Sequence, residues 1–305
     1  MLVYLNGKFL SESEATVPVS DRGFLLGDGL FETMRVYNGH VFKLNEHLRR
    51  LLRGCGLLKI TIPEGVPGLK IRIYQLIQMN GLKDDGYIRV TVTRGAGGRG
   101  LDIRGCDTPT LLITSGEYRP YPEDLYHRGV EVVFSERENL RTNKDCDLKS
   151  TNFLNNILAR LQSGKKDAFE VVMLNPHGYL SEGTITNIFF ITLGTLCTPA
   201  PECGILRGIT RETVLDICKK RNIPVREGLF HRHDLGKAEE VFITNSLMGV
   251  MPVSSIDGRT LRVGEVTGTI ITAYRELIDE ERRASGNSRE DRPHKPETGC
   301  CPFRD

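Results

Sequence analysis

Two Asn-Gly dipeptides constrain this chain more than any other feature. Asn6-Gly7 separates LVYL from KFL, and Asn38-Gly39 separates FETMRVY from HVF. A two-residue hairpin turn needs positive φ at both central residues, which Asn and Gly tolerate best. Asn-Gly between apolar runs therefore marks an antiparallel hairpin, and two of them commit the amino-terminal part to antiparallel sheet. LNEHLRRLLRGCGLL then shows the apolar period of a helix, with Asn45 as its expected N-cap. GLKIRIYQLIQMNGL reads as a second helix. GYIRVTVTRG, alternating and β-branched, and TPTLLITSG read as strands. Residues 1–117 are expected to form a small α+β domain.

GEYRPYPEDL, with two prolines and little periodicity, is the natural boundary, so 118–122 is expected to be an interdomain linker. Residues 123–283 then give strands at VEVVFSE, FEVVMLN, TNIFFIT and EVFITNS. Helices are expected at NFLNNILAR, TRETVLDICKKRN and VTGTIITAYRELIDEERR. From Ala284 to Asp305 the chain is polar and rich in Pro and Gly, and is expected to be a disordered tail. With 305 residues, 39% apolar and 26% charged, the composition is that of a globular chain with room for a core. A net charge of +2 gives no electrostatic footprint for nucleic acid. No apolar run is long enough to span a membrane, and the first residues lack the basic-then-apolar order of a secretory signal. A cytoplasmic location is expected. The eight cysteines contain no CxxC pair, so they read as free thiols rather than a zinc or redox motif. His231-Arg232-His233 has no acidic or cysteine partner at ligand spacing and reads as a surface loop, so no metal site is expected.

Four short motifs carry possible chemistry. GAGGRG, from Gly95 to Gly100, fits the dinucleotide expression but leads into a loop and strand instead of the required helix. Its arginines, Arg94 and Arg99, suggest a loop that holds carboxylate. GILRGITRET runs from a Gly-punctuated loop into a helix, whose exposed N–H groups near Ile209 and Thr210 could seat a phosphate. GYLSEGTITNIFFI sets Glu182 and Gly183 at a turn-to-strand break, and KDCDLKSTNFLNNILAR sets Lys149 ahead of a helix. A helix start disfavours a nearby ammonium, so Lys149 either points to water or works uncharged. Each motif alone has an ordinary structural explanation. Together they supply an activated lysine, a phosphate cradle and a carboxylate, the three fixtures of a pyridoxal phosphate site.

In order along the chain, YLNGKFL, VSDRGFLLGDGLFETMRVYNG, EHLRRL, TRGAGGRG, DLKSTNFLNNILA, LSEGTITNIFFI, GILRGITRE and EVFITNSLMGVMPV resemble the class IV aminotransferase family. These fold-type IV pyridoxal phosphate enzymes include branched-chain aminotransferases, D-amino acid transaminases and 4-amino-4-deoxychorismate lyases. The resemblance implies a two-domain α+β fold like that of D-amino acid aminotransferase, with pyridoxal 5′-phosphate in the interdomain cleft, an amine or amino acid substrate, and a homodimer. It implies Lys149 as the Schiff-base lysine and proton shuttle, Glu182 as partner of the pyridine nitrogen, and Arg50 in HLRRL as the phosphate arginine. Ile209, Thr210 and Ser246 would complete the phosphate seat. Phe31 and Thr33 would face the substrate, and by their charge and loop position alone Arg94 or Arg99 would hold its carboxylate. Thr33 in FETMR, the TRGAGGRGL loop and TNSLMGVMPV are nearest the lyase pattern, so the resemblance implies first a 4-amino-4-deoxychorismate lyase, yielding 4-aminobenzoate and pyruvate for folate synthesis. Phe31 and Phe153 stand where transaminases of the family carry tyrosines, whereas LKSTNFLNNILA is as close to transaminases as to lyases. An amino-acid transaminase, branched-chain or D-amino acid type, is the alternative, and a non-catalytic protein of the same fold the third.

Overall fold

Both Asn-Gly turns form. Asn6 and Gly7 adopt φ of 46° and 91°, and Asn38 and Gly39 adopt 49° and 76°. Leu5 pairs with Lys8 across the first turn and Tyr37 with His40 across the second. The computed structural model describes residues 1–98, 100–141, 148–163 and 167–287. Arg99, Cys146 and the expected tail from residue 288 onward lie outside the described residues.

The first sheet is built from β1 (Leu2–Leu5), β2 (Lys8–Ser11), β3 (Gly29–Tyr37), β4 (His40–Val41), β5 (Gly86–Thr93) and β6 (Thr110–Glu117). Its order is β2-β1-β6-β5-β3-β4, with every described pairing antiparallel. The helices of this part are α1 (Arg22–Leu26), α2 (Leu44–Leu57) and α3 (Gly65–Met79). Strand alternation divides the sheet's faces. Leu30, Met34 and Val36 of β3 and Ile88, Val90 and Val92 of β5 are buried in a core with Leu48 and Leu51 of α2 and Leu69, Ile73 and Leu76 of α3. Each such side chain withdrawn from water contributes roughly 1.5–3 kcal/mol. The opposite row, Phe31, Thr33 and Arg89, is left for the cleft described below. Helix α2 starts earlier than expected: Lys43, at φ 53° and without a side-chain cap bond, precedes the first helical residue, and Asn45 lies inside the helix. The tight exit from β4 imposes this start, and the Lys43 ammonium is held by Glu281.

The second part contains α4 (Glu123–Arg128), β7 (Val130–Phe134), α5 (Leu154–Leu161), β8 (Glu170–Leu174), β9 (Leu180–Gly183), β10 (Asn187–Thr192) and β11 (Thr195–Pro199). It continues with α6 (Ile209–Lys220), β12 (Val225–Gly228), α7 (Arg232–Leu235), β13 (Glu240–Asn245), β14 (Gly249–Ile256), β15 (Arg259–Thr260) and α8 (Glu265–Asn287). Among the described residues its nine strands form one mixed sheet, β12-β11-β10-β13-β14-β7-β8-β9, with β15 beside β14. Phe189, Ile191 and Phe242 of the sheet pack against Val214 and Ile217 of α6 and Ile270 and Tyr274 of α8. Phe42, beside the second hairpin, joins that cluster, its ring 5.5 Å from Tyr274. Residues 118–122 carry neither helix nor strand. Helix α8 runs through Ala284 to Asn287, past the expected start of the tail. The sequence gives little sign of β14, because Pro252 lacks an N–H and Gly249 sits at φ 72°. The strand nevertheless lies between β13 and β7, and its pairing with β7 shifts between Val253 and Ser255. Cys55, Cys197, Cys203 and Cys218 are buried free thiols, and Cys106 is partly exposed. His231 precedes α7 and caps it, and its ring stacks on His233. No described helix is long and apolar enough to cross a membrane.

Candidate active site

A cavity of about 380 Å³ opens between the two sheets, lined by Phe31, Thr33 and Arg89 of the first, by Lys149 beside β3, and by Glu182 and Thr210 of the second part. Lys149 is placed by strand-like stitching to β3, not by a helix. Its carbonyl accepts from Phe31 N–H at 2.9 Å, Ser150 bridges Leu30, and Thr151 N–H donates to Gly29. Helix α5 begins only at Leu154, so Lys149 does not sit on the helix start. Its Nζ lies 4.8 Å from the Phe31 ring centre and 5.7 Å from that of Phe153. Withdrawal from water and the nearby Arg50 guanidinium lower its pKa to about 8, against the pull of Glu32 and Glu182. This amine can therefore be neutral near physiological pH.

Arg50 is buried on α2, and Glu32 of β3 holds it with two bonds, Nε to Oε1 at 2.7 Å and Nη2 to Oε2 at 2.8 Å. Its Nη1 donates to the Arg207 carbonyl at 2.7 Å, tying the guanidinium to the loop before α6. His47 Nδ1 shares the Glu32 carboxylate at 2.7 Å. Burial alone would raise the Glu32 pKa, but Arg50 and His47 outweigh it and hold it at about 2. Burial also pushes His47 down. A paired carboxylate thus fixes Arg50 beside the start of α6. That helix begins after Gly208 with no side-chain cap bond, which leaves the N–H groups at Ile209 and Thr210 available to an anion.

Glu182 is the residue before last in β9 and is buried. Its Oε2 accepts from Leu206 N–H at 2.8 Å and Asn187 Nδ2 at 3.3 Å, and Arg141 Nε stands 3.6 Å from Oε1. Burial raises its pKa, with Arg141 opposing. Ser246 is at the tip of the turn after β13, where Asn245 Oδ1 accepts from Leu247 and Met248 N–H. Thr244 beside it lines the cavity, and its buried hydroxyl has no partner among the described residues.

The cleft therefore brings together Lys149, Glu182, Arg50, Ile209, Thr210, Ser246, Phe31 and Thr33. Arg94 does not line it. Its guanidinium is buried against Asp28, at 2.7 and 3.0 Å, and against the Leu58 carbonyl at 2.9 Å, so the expected carboxylate contact is replaced by an internal ion pair. Gly95 turns the chain there at φ 80°, where an added Cβ would strike the Thr108 carbonyl oxygen. Arg99 lies outside the described residues. Instead, Arg89 reaches the cleft from β5, opposite Thr33 in register, with its guanidinium 3.8 Å from the Phe31 ring centre. Among the described residues no carboxylate pairs with it, and its withdrawal from water lowers its pKa. Sequence reading assigns no role to Arg89, Glu32, His47, Arg141 or Asn187. For Glu32 there is a signal: it occupies the buried phase of an otherwise apolar row, Leu30-Glu32-Met34-Val36, where an unpaired carboxylate would be costly.

The sequence pattern of the family described as Amino-transferase class IV matches residues 29–256. The chain belongs to the class IV aminotransferase family. A putative branched-chain-amino-acid aminotransferase of Methanocaldococcus jannaschii is 38% identical over 281 residues, spanning 91% of this chain and 96% of that protein. A D-alanine aminotransferase of Listeria innocua is 32% identical, spanning 94% and 98%. A branched-chain aminotransferase of Thermoproteus uzoniensis, solved with norvaline, superposes with a TM-score of 0.86 at 33% identity, covering 93% of this chain and 97% of that one. A 4-amino-4-deoxychorismate lyase of Pseudomonas aeruginosa superposes at 0.80 with 29% identity, covering 92% and 98%. Class IV aminotransferases use pyridoxal phosphate. The residues present fit that group: a lysine of lowered pKa, an uncapped helix start beside a fixed arginine, a carboxylate across the cavity, and the orphaned Thr244 hydroxyl.

Proposed function

We propose that this class IV enzyme is an amino-acid transaminase that pairs an amino acid donor with a dicarboxylic keto acid such as 2-oxoglutarate. Arg89 is the observation that carries this reading. It is a cation on the cleft wall, stacked on Phe31, with no carboxylate partner among the described residues. A partly buried arginine of this kind suits a substrate carboxylate, because charge-assisted pairing offsets the desolvation it already bears. The aminotransferase relatives support the same choice.

In this reading Lys149 Nζ would be the attachment point for the cofactor, Arg50 and the α6 start would bind its phosphate with Ser246, and Glu182 would hold the proton at its ring nitrogen. When bound, the cofactor supplies an electron sink for the substrate's α-carbon. Lys149 Nζ, as a neutral amine, would take a proton from the substrate's α-carbon and return it. Its pKa of about 8 suits both roles. Phe31 and Phe153, with ring centres 5.3 Å apart, shield the amine from water.

We further propose a homodimer. Phe24, Leu25 and Leu26 of α1 and Leu154, Ile157 and Leu161 of α5 are exposed, as is Ile185. They are neighbours, because Asn152 donates to the Gly27 carbonyl and Asn156 to the Thr184 carbonyl. Thr151, Phe153, Asn156 and Ile185 line the cleft, so a second copy on this apolar patch would close its mouth.

The lyase is the second reading, favoured by Thr33 on the cleft wall and by the aromatic pair, which suits a planar ring. One substrate panel separates the two: leucine and D-alanine with 2-oxoglutarate, beside pyruvate release from aminodeoxychorismate. Transaminase activity with a rise in KM for 2-oxoglutarate in Arg89→Gln is the expected result. Pyruvate release without transamination would replace the first reading with the second.

A further inference from the structure

Glu170, at the start of β8, is a buried carboxylate outside the lining of the cleft, 2% exposed and without a cation partner among the described residues. Five donors converge on it: Val171 N–H at 2.7 Å, Thr184 N–H at 3.2 Å, Thr184 Oγ1 at 2.5 Å, Ile185 N–H at 3.2 Å and Thr186 Oγ1 at 3.0 Å. Four of the five come from Thr184 to Thr186, a segment that lines the cleft directly after Glu182-Gly183. Gly183 makes this approach possible, since an added Cβ would fall 2.9 Å from the Glu170 carboxyl carbon and 2.1 Å from Thr186 Oγ1. From the other side Asn156 of α5 holds the Thr184 carbonyl at 2.7 Å. Three backbone N–H groups and two hydroxyls satisfy the carboxylate, so among the described residues its burial is supported by hydrogen bonds. Ordinary loop packing does not call for a buried charge here. Apolar side chains would fill the space at lower desolvation cost.

We propose that Glu170 is a positioning residue of this reaction centre: its carboxylate fixes the Gly183–Thr186 wall of the cleft and, through that backbone, the place at which Glu182 meets the ring nitrogen of the cofactor. The proposal rests on the cofactor reading given above. Glu170 has a second influence on the same atom. Its charge reaches Glu182 and opposes that group's ionisation, which favours a proton retained between Glu182 and the ring. Because the hydroxyl protons of Thr184 and Thr186 are committed to Glu170, the two side chains offer only lone pairs to any further partner. A substrate carboxylate is accordingly repelled from this wall and left to Arg89.

The test compares Glu170→Gln and Thr186→Val with the wild type in three measurements: the Kd of the apoprotein for pyridoxal phosphate by fluorescence quenching, apoprotein Tm, and the pH midpoint of the bound cofactor's visible absorption. Glu170→Gln is expected to weaken cofactor binding about tenfold, the size of one lost charge-assisted hydrogen bond. It is also expected to move the absorption midpoint to lower pH, because a nearby negative charge is gone. Thr186→Val keeps the carboxylate, so it is expected to weaken binding by a smaller factor and leave the midpoint in place. If Glu170→Gln does not fold, the Thr186→Val binding result decides. A lowered Tm with wild-type Kd and midpoint would show a purely structural role and overturn the proposal, as would wild-type binding by Thr186→Val. Failure of the wild-type protein itself to bind pyridoxal phosphate would instead overturn the reading on which the proposal rests.

Discussion

Lys149 and Arg50 show how single residues acquire chemistry from their surroundings. A lysine with a pKa of about 8 is mostly neutral above that pH. The rate at which apoprotein captures pyridoxal phosphate is therefore expected to rise to a plateau just above pH 8. A rate still climbing near pH 10 would contradict the lowered value. The sign for stability follows the same shift. The unfolded lysine keeps its proton to about pH 10.4, so between about 8 and 10 the unfolded chain binds more protons, and this group's contribution to stability rises with pH. Glu32 acts at the acid end. Its folded pKa of about 2 lies below the ordinary carboxylate value, so its stabilisation is present above about pH 4.5 and is lost as pH falls toward 2. Glu32→Ala leaves the buried Arg50 and His47 without their counter-charge and should cost about 3–5 kcal/mol in denaturant unfolding. A loss under about 1 kcal/mol, the scale of a surface pair, would show that Arg50 is held by other means.

At the level of elements, the site depends on how α6 begins. Gly208 precedes the helix, and a Cβ there would fall 2.1 Å from Asn187 Oδ1. Asn187 links Glu182 to the Leu206 carbonyl, so the helix start and the carboxylate share one brace. Gly208→Ala is expected to weaken pyridoxal phosphate binding at least about tenfold with little change in helix content by circular dichroism. Unchanged binding would show that Asn187 can move without consequence. Elements with local signals were legible in the sequence: the Asn-Gly hairpins, the alternating β5 and the periodic α2 needed only their own residues. β14 was not, because its position between β13 and β7 comes from packing that overrides Pro252. The start of α2 was misplaced for a similar reason, since the turn leaving β4 outranks the capping preference of Asn45. Within the site, Lys149, Glu182 and the α6 start stood in recognisable motifs. Arg89 and Asn187 sit in ordinary strands, and only the pairing of those strands brings them to the cleft. The same dependence on partners misdirects attention to Arg94, whose loop position suggested a ligand but whose neighbour is Asp28.

For the whole molecule, two sheets of different construction meet at one cavity. The smaller supplies Phe31, Arg89 and, through Glu32, a fixed Arg50; the larger supplies Glu182, and α6 packed on it the proposed phosphate seat. The proposed division into residues 1–117 and 123–283 puts the cofactor between two bodies, and the proposed second copy covers its mouth. Phe24 is 78% exposed on α1, which makes it a direct probe of that contact. Sedimentation should give a dimer for the wild type and a shift toward monomer for Phe24→Asp, with weakened substrate binding in the monomer. A wild-type monomer with full activity would contradict the shared mouth.

The central claim is that Lys149 holds pyridoxal phosphate in this cleft. Borohydride reduction of the loaded protein, followed by peptide mass mapping, tests it most directly. The account predicts one reduced pyridoxyl group, on the peptide containing Lys149, and none in Lys149→Ala. A modified lysine elsewhere, or normal trapping in that variant, would contradict it.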